Sequence, residues 1–127
     1  HFTLRHAATR PLAPVAMRRV HEFIHDNLSK PLRLAELSEI AGLSRGHFSR
    51  AFRLACGMSP HRYVVASRIE KALAMLVAGR PPIDAAHSAG FADQSHLTRR
   101  LKDVTGLTPG EVKRAGIATV GSWRLVM

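Results

Sequence analysis

Two groups of side chains in this sequence have the types and spacing needed to hydrogen-bond to a polyanion and read it. The first is Arg45, Ser49, Arg50 and Arg53, with Gly46 on the same helical side; the second is Gln94, Ser95, Thr98, Arg99 and Lys102. The second group falls at i, i+1, i+4, i+5 and i+8, which is one continuous stripe on a helix. Arginine offers a fork of donors that fits N7 and O6 of guanine. Glutamine can pair with adenine, and serine or threonine can meet either base. Arginine and lysine at the ends of such a stripe neutralise phosphates. The plain alternative for one basic amphipathic helix is a solvated face.

What tells against the plain alternative is repetition. Phe48-Ser49-Arg50-Ala51-Phe52-Arg53 runs on to Gly57-Met58-Ser59-Pro60, and Leu97-Thr98-Arg99-Arg100-Leu101-Lys102 runs on to Gly106-Leu107-Thr108-Pro109, every pair 49 residues apart. Upstream, Gly42-Leu43 answers Gly90-Phe91 at an offset of 48, so the second copy holds one inserted residue. Each copy reads as helix, glycine turn and arginine-rich second helix, a helix-turn-helix pattern.

The elements that position these groups follow from periodicity and punctuation. Residues 1–16 lack periodicity, carry Pro11 and Pro14, and read as a linker or frayed arm. From Met17 to Leu28, the apolar Val20, Phe23, Ile24 and Leu28 share a helical face, and Pro31 ends that helix. Leu34, Leu37 and Ile40 mark a short helix. Ser44 caps the next, Arg45 to about Ala55, with Phe48, Phe52 and Ala55 facing inward. Ser59-Pro60 opens a long helix that runs until Gly79-Arg80-Pro81-Pro82.

In the second copy a short helix covers about Ile83 to Ser88, and Asp93 caps Gln94 to about Val104, with Leu97, Leu101 and Val104 inward. Thr108 and Glu111 have capping-box spacing at the last helix. No convincing strand is present, so the expected fold is all-α. The expected parts are an arm (1–16), a first lobe (17–57), a bridging helix (58–78), a second lobe (79–115) and a tail (116–127). Leu37, Phe48, Phe52, Leu76, Phe91, Leu97 and Leu101 are the expected cores.

Composition sets the partner class. The 127 residues hold 19 Lys+Arg against 9 Asp+Glu, a net charge of +10, and 46% hydrophobic residues suffice for a modest core. A domain this basic suits a polyanion. Aromatic residues make up only 6% and fall mostly at core positions, which disfavours the stacking platforms of single-stranded RNA binders. A single cysteine, Cys56, excludes an intrachain disulfide and suggests a reduced, cytoplasmic setting. The longest apolar run, Ala72 to Ala78, is short of the roughly 20 residues a bilayer requires, so no membrane role is expected. The chain opens on His1 without a signal-peptide pattern, as a piece cut from a longer protein would.

The chain resembles the AraC/XylS family of bacterial transcription regulators from about Met17 to Arg114. The likeness rests on Gly42-Leu43-Ser44, Phe48-x-Arg50-x-Phe52, Gly57-x-Ser59-Pro60, Tyr63, Arg68 and Ala72. It continues through Gly90-Phe91-x-Asp93-Gln94-Ser95-His96-Leu97-x-Arg99 and Gly106-x-Thr108-Pro109. The resemblance implies two helix-turn-helix lobes, homeodomain-like three-helix units, bridged by a long helix. Each recognition helix would enter a successive major groove of double-stranded DNA. It also implies a preceding effector-sensing or dimerising domain, contact with RNA polymerase, activation of transcription, and a place on the nucleoid. Pro82 and Ala85 stand where larger aliphatics are usual, and Val112 where an aromatic is. Gly46 leaves a base-reading position without a side chain.

On this reading Arg45, Ser49, Arg50, Gln94, Ser95, Thr98 and Arg99 read bases. His47, Arg53, His96 and Lys102 contact phosphates, with capping or packing as the alternative for the two histidines. Arg68 has an internal salt-bridge or capping role. No cofactor or metal is expected.

Other residues carry the types for other chemistries. His21-Glu22-Phe23-Ile24-His25 is an H-E-x-x-H string, the arrangement of a zinc metallopeptidase, but its middle residues belong to the core stripe and no third ligand has recognisable spacing. Ordinary surface histidines are the alternative. Cys56 lacks a neighbouring base for nucleophilic work. Tyr63 and Trp123 suit core packing better than base stacking. A non-specific RNA-binding structural protein is the remaining alternative.

Overall fold

A computed structural model describes residues 9–116, and over these the chain is a succession of seven helices. They are α1 (Pro14–Asp26), α2 (Leu34–Ala41), α3 (Arg45–Cys56), α4 (Pro60–Val77), α5 (Pro82–Ser88), α6 (Gln94–Thr105) and α7 (Pro109–Ala115). No strand occurs among the described residues. The expected tail beyond residue 116, and Trp123 with it, lies outside them.

The internal repeat is visible bond by bond. The turn before each recognition helix closes with the same pair, Leu43 N–H to Ser38 O (3.0 Å) and Phe91 N–H to Ala86 O (2.9 Å). Ser44 Oγ accepts His47 N–H at 3.2 Å, and Asp93 Oδ1 accepts His96 N–H at 2.8 Å. Each oxygen satisfies a donor that the first turn of a helix leaves unpaired. Both helices stop at a left-handed glycine, Gly57 and Gly106. The next helices begin alike: Ser59 Oγ accepts Arg62 N–H, and Thr108 Oγ1 accepts Glu111 N–H, each at 3.2 Å. Glu111 Oε1 returns a bond to Thr108 N–H, completing the expected capping box.

The described residues divide into two compact units, 9–27 with 32–64, and 28–31 with 65–116. Residues of the long helix through Val64 belong to the first unit and those from Val65 to the second. Residues 28–31 leave the first unit, and Arg68 is the physical reason. Its Nε donates to Leu28 O (3.2 Å) and its Nη2 to Lys30 O (2.9 Å), which gives it the capping role rather than a salt bridge.

In the first unit α1 packs on α2 and α2 on α3. Val20, Ile24, Leu37, Phe48 and Phe52 are buried, with the Phe48 and Phe52 ring centroids 5.6 Å apart. Three expectations are corrected here. The frayed arm ends sooner than residue 16: α1 starts at Pro14, whose ring suits a first helical position, and Leu12 is buried with its N–H donated to Ala51 O at 3.0 Å. Ala55 is exposed, and Ala51 takes the inward place beside Phe48 and Phe52. Phe23 is half-buried and Leu34 is exposed at the edge of the stripe.

The second unit is built on Ile69, Leu73 and Leu76 from α4 with Leu97 and Leu101 from α6, all buried. Ala85, Ala86 and Ala89 pack into the same cluster, so the small residue at 85 lies in the core; Val112, in the place of an aromatic, is also fully buried. Gly90, in the turn after α5, approaches the 28–31 segment closely. Its φ is +86°, and a Cβ there would overlap the carbonyl oxygen of Leu28 and reach 2.8 Å from Arg68 Nε. Only glycine fits both demands.

Candidate nucleic-acid interface

Each recognition helix has one face held by its core and the opposite face open. On α3, Phe48, Ala51 and Phe52 are buried, while Arg45, Gly46, Arg50 and Arg53 are exposed and Ser49 and His47 are half-buried. Leu97 and Leu101 anchor α6, leaving Gln94, Ser95, His96, Arg99 and Lys102 exposed and Thr98 half-buried. The structure therefore brings the expected residues together helix by helix, one open polar face on each unit.

Two of these side chains are more committed than their types suggest. Thr98 Oγ1 donates to Gln94 O at 2.9 Å, so its hydroxyl hydrogen is used within the helix and its lone pairs and methyl are what it still offers. The Nδ1 of His96 accepts Ala92 N–H at 3.3 Å, and the ring stands edge-on to Phe91 with centroids 5.3 Å apart. That bond occupies Nδ1, so Nε2 is the ring nitrogen that remains. Two features escaped the sequence reading. Leu54 is an apolar residue on α3 with 56% of its surface exposed, next to Arg53. Arg50 lies back along α3, with Nη1 3.5 Å from the place a Cβ of Gly46 would take.

The histidines of the H-E-x-x-H string do different work. His21 stacks on Tyr63, centroids 4.6 Å apart and planes 10° from parallel, and meets Phe52 edge-on at 6.0 Å. It is half-buried rather than on the surface, its Nε2 is enclosed with no hydrogen-bond partner, and burial first, then His25, pushes its pKa below the ordinary histidine value. The Nε2 of His25 sits 2.8 Å from the Tyr63 hydroxyl. Among the described residues no three His, Cys, Asp or Glu side chains come together as a metal site. Tyr63 is a packing residue, as expected. Cys56, half-buried, donates Sγ–H to Met58 O at 3.4 Å.

The two open faces and their matched caps define a tandem helix-turn-helix class of protein. A family model described as a helix-turn-helix domain matches residues 37–115. The chain belongs to the AraC/XylS family of DNA-binding transcription regulators, which are not enzymes. An HTH-type transcriptional regulator of Bacillus subtilis, YbfI, is 40% identical over 81 residues, 64% of this chain and 30% of that protein. The virulence regulon transcriptional activator VirF of Yersinia enterocolitica is 30% identical over 119 residues, 93% of this chain and 42% of that protein. Among solved structures, the C-terminal domain of AraT, a response regulator from Geobacillus stearothermophilus, superposes with a TM-score of 0.73 at 25% identity, covering 82% of this chain and 87% of that one. The chain spans less than half the length of these curated relatives. No helix among the described residues is long and apolar enough to cross a membrane.

Proposed function

We propose that this chain binds double-stranded DNA sequence-specifically, with α3 and α6 each entering a major groove. The observation that carries the reading is the pair of capped helices, each pinned by buried rings or leucines on one side and open along an arginine-bearing polar face on the other. Arg45, Ser49, Arg50, Gln94, Ser95, Thr98 and Arg99 read base edges. His47, Arg53, His96 and Lys102 hold phosphates, His96 through Nε2. The bound site then carries two blocks of sequence preference one helical turn, about 10 base pairs, apart.

The whole protein, on this reading, activates transcription on the nucleoid in the cytoplasm, contacts RNA polymerase, and carries a preceding effector-sensing or dimerising domain. Family membership and the word activator in the name of VirF support this part.

Selection of bound duplexes from a random double-stranded library, with single-stranded competitors present, tests the proposal. Two preference blocks and little competition by single strands are expected; no enriched sequence, or preference for single strands, overturns it. Arg99→Ala should cost about 1–3 kcal/mol on the selected site and relax preference at one base pair. An equal loss on every sequence would make Arg99 a phosphate contact instead.

A further inference from the structure

Gly46 is the second residue of α3, and it is not among the glycines with positive φ. Its backbone conformation is open to any residue, and it is exposed, so neither strain nor crowding calls for glycine there. Glycine in a helix is costly, by up to about 1 kcal/mol relative to alanine. What the absent side chain leaves is room over the first turn, and a neighbour occupies it. The nearest atom to an ideal Cβ at Gly46 is Nη1 of Arg50, at 3.5 Å. Side chains on a helix lean toward its N-terminus, onto the residue four positions earlier. Arg50 follows that rule and lays its guanidinium over the first turn. The same geometry recurs in α7, where Nη1 of Arg114 lies 3.4 Å from the Cβ position of Gly110. A glycine four residues before an arginine is therefore a seat for the guanidinium.

On α6 the matching pair is Ser95 and Arg99, 49 residues on, and there the earlier position keeps its own side chain. The twin helices thus present different sets from equal scaffolds: two side chains on α6, one on α3. The Arg50 guanidinium over the first turn also lies at the positive end of the α3 dipole, and Arg45 is the first residue of that turn, so a negatively charged partner is favoured there.

We propose that Gly46 is a specificity-determining residue of the first recognition helix: by vacating its place it seats Arg50 over the first turn, where the guanidinium reads a guanine through N7 and O6. This rests on the DNA-binding reading above. The pair acts as one unit, so changes at 46 and 50 register at the same base pair.

The test compares the full chain with Arg50→Ala, Gly46→Ala, Gly46→Leu and the Gly46→Leu/Arg50→Ala double variant, each by selection from a random duplex library and by affinity for the selected site. Thermal melting checks folding; both changes at 46 favour the helix, so loss of fold is not the expected outcome. Arg50→Ala should relax preference for one G·C pair by about 5- to 150-fold, the span of one bidentate contact. Gly46→Ala should keep that preference, because a methyl at 3.5 Å makes ordinary contact with Arg50. Gly46→Leu should weaken preference at the same pair, and the double variant should lose no more than Arg50→Ala alone. Additive losses, or a Gly46→Leu effect at a different base pair, overturn the inference while leaving DNA binding intact. No enrichment by the unaltered chain overturns the DNA reading itself, and this inference with it.

Discussion

The imidazole of His21 lies flat on the ring of Tyr63, 4.6 Å between centroids, with its Nε2 enclosed and lacking a hydrogen-bond partner. This stack ties α1 to the start of α4 beside Phe52 of the recognition helix. It works best with a neutral ring. A charged one would lose solvation and gain no partner at Nε2.

That stack makes the first unit sensitive to acid. From its own helix His25 faces His21, from α4 Tyr63 does, and α3 offers the uncharged Phe52. The folded state resists protonation of His21 while the unfolded chain accepts it in the ordinary histidine range. The stability contributed by neutral His21 is therefore complete above that range and is lost as pH falls through the lowered value. Glu111, held below the ordinary carboxylate range first by the Thr108 N–H and then by its hydroxyl, loses its contribution in a more acidic window. Melting temperatures from pH 8 to pH 5 should fall, and His21→Phe, which keeps a ring on Tyr63, should flatten the fall. An unchanged slope in that variant contradicts the assignment.

Gly90 and Gly57 have nearly the same backbone, φ +86° and +83°, in different surroundings. Alanine at Gly57 meets open space and should cost only the left-handed conformation, about 1–2 kcal/mol. Alanine at Gly90 must also displace Leu28 O and Arg68 Nε, so its cost should clearly exceed that range. Chemical denaturation of the two variants checks the order; equal losses would mean the contact with the 28–31 segment yields freely.

Asp93 caps α6 through a 2.8 Å bond from His96 N–H. Asp93→Ala should cost about 1 kcal/mol of stability, and Asp93→Asn should recover most of it, because its oxygen still accepts. If Asn behaves like Ala in a thermal melt, charge on the helix dipole rather than the cap bond is what stabilises this end.

Much of this architecture is legible in the residues because its signals are local. Ser44, Asp93 and Thr108 announce helix starts through oxygens that serve the next turn, and Phe48, Phe52, Leu97 and Leu101 announce the buried faces by spacing. What escaped is set by contacts distant in sequence. Arg68 draws residues 28–31 into the second unit by bonds spanning 40 and 38 residues. His21 reads as a surface histidine until Tyr63, far along the chain, is placed on its ring. Leu12 joins the core through Ala51 despite flanking prolines that mark an arm. The open faces of α3 and α6 were legible as stripes, but the seat of Arg50 over Gly46 needs three dimensions to be seen.

The most direct test of the central claim is the affinity for a selected duplex as a function of salt. Cationic side chains on both open faces that neutralise about 6 phosphates predict a slope of log affinity against log salt near −5. A slope near zero would contradict an account in which these faces meet the backbone of a double helix.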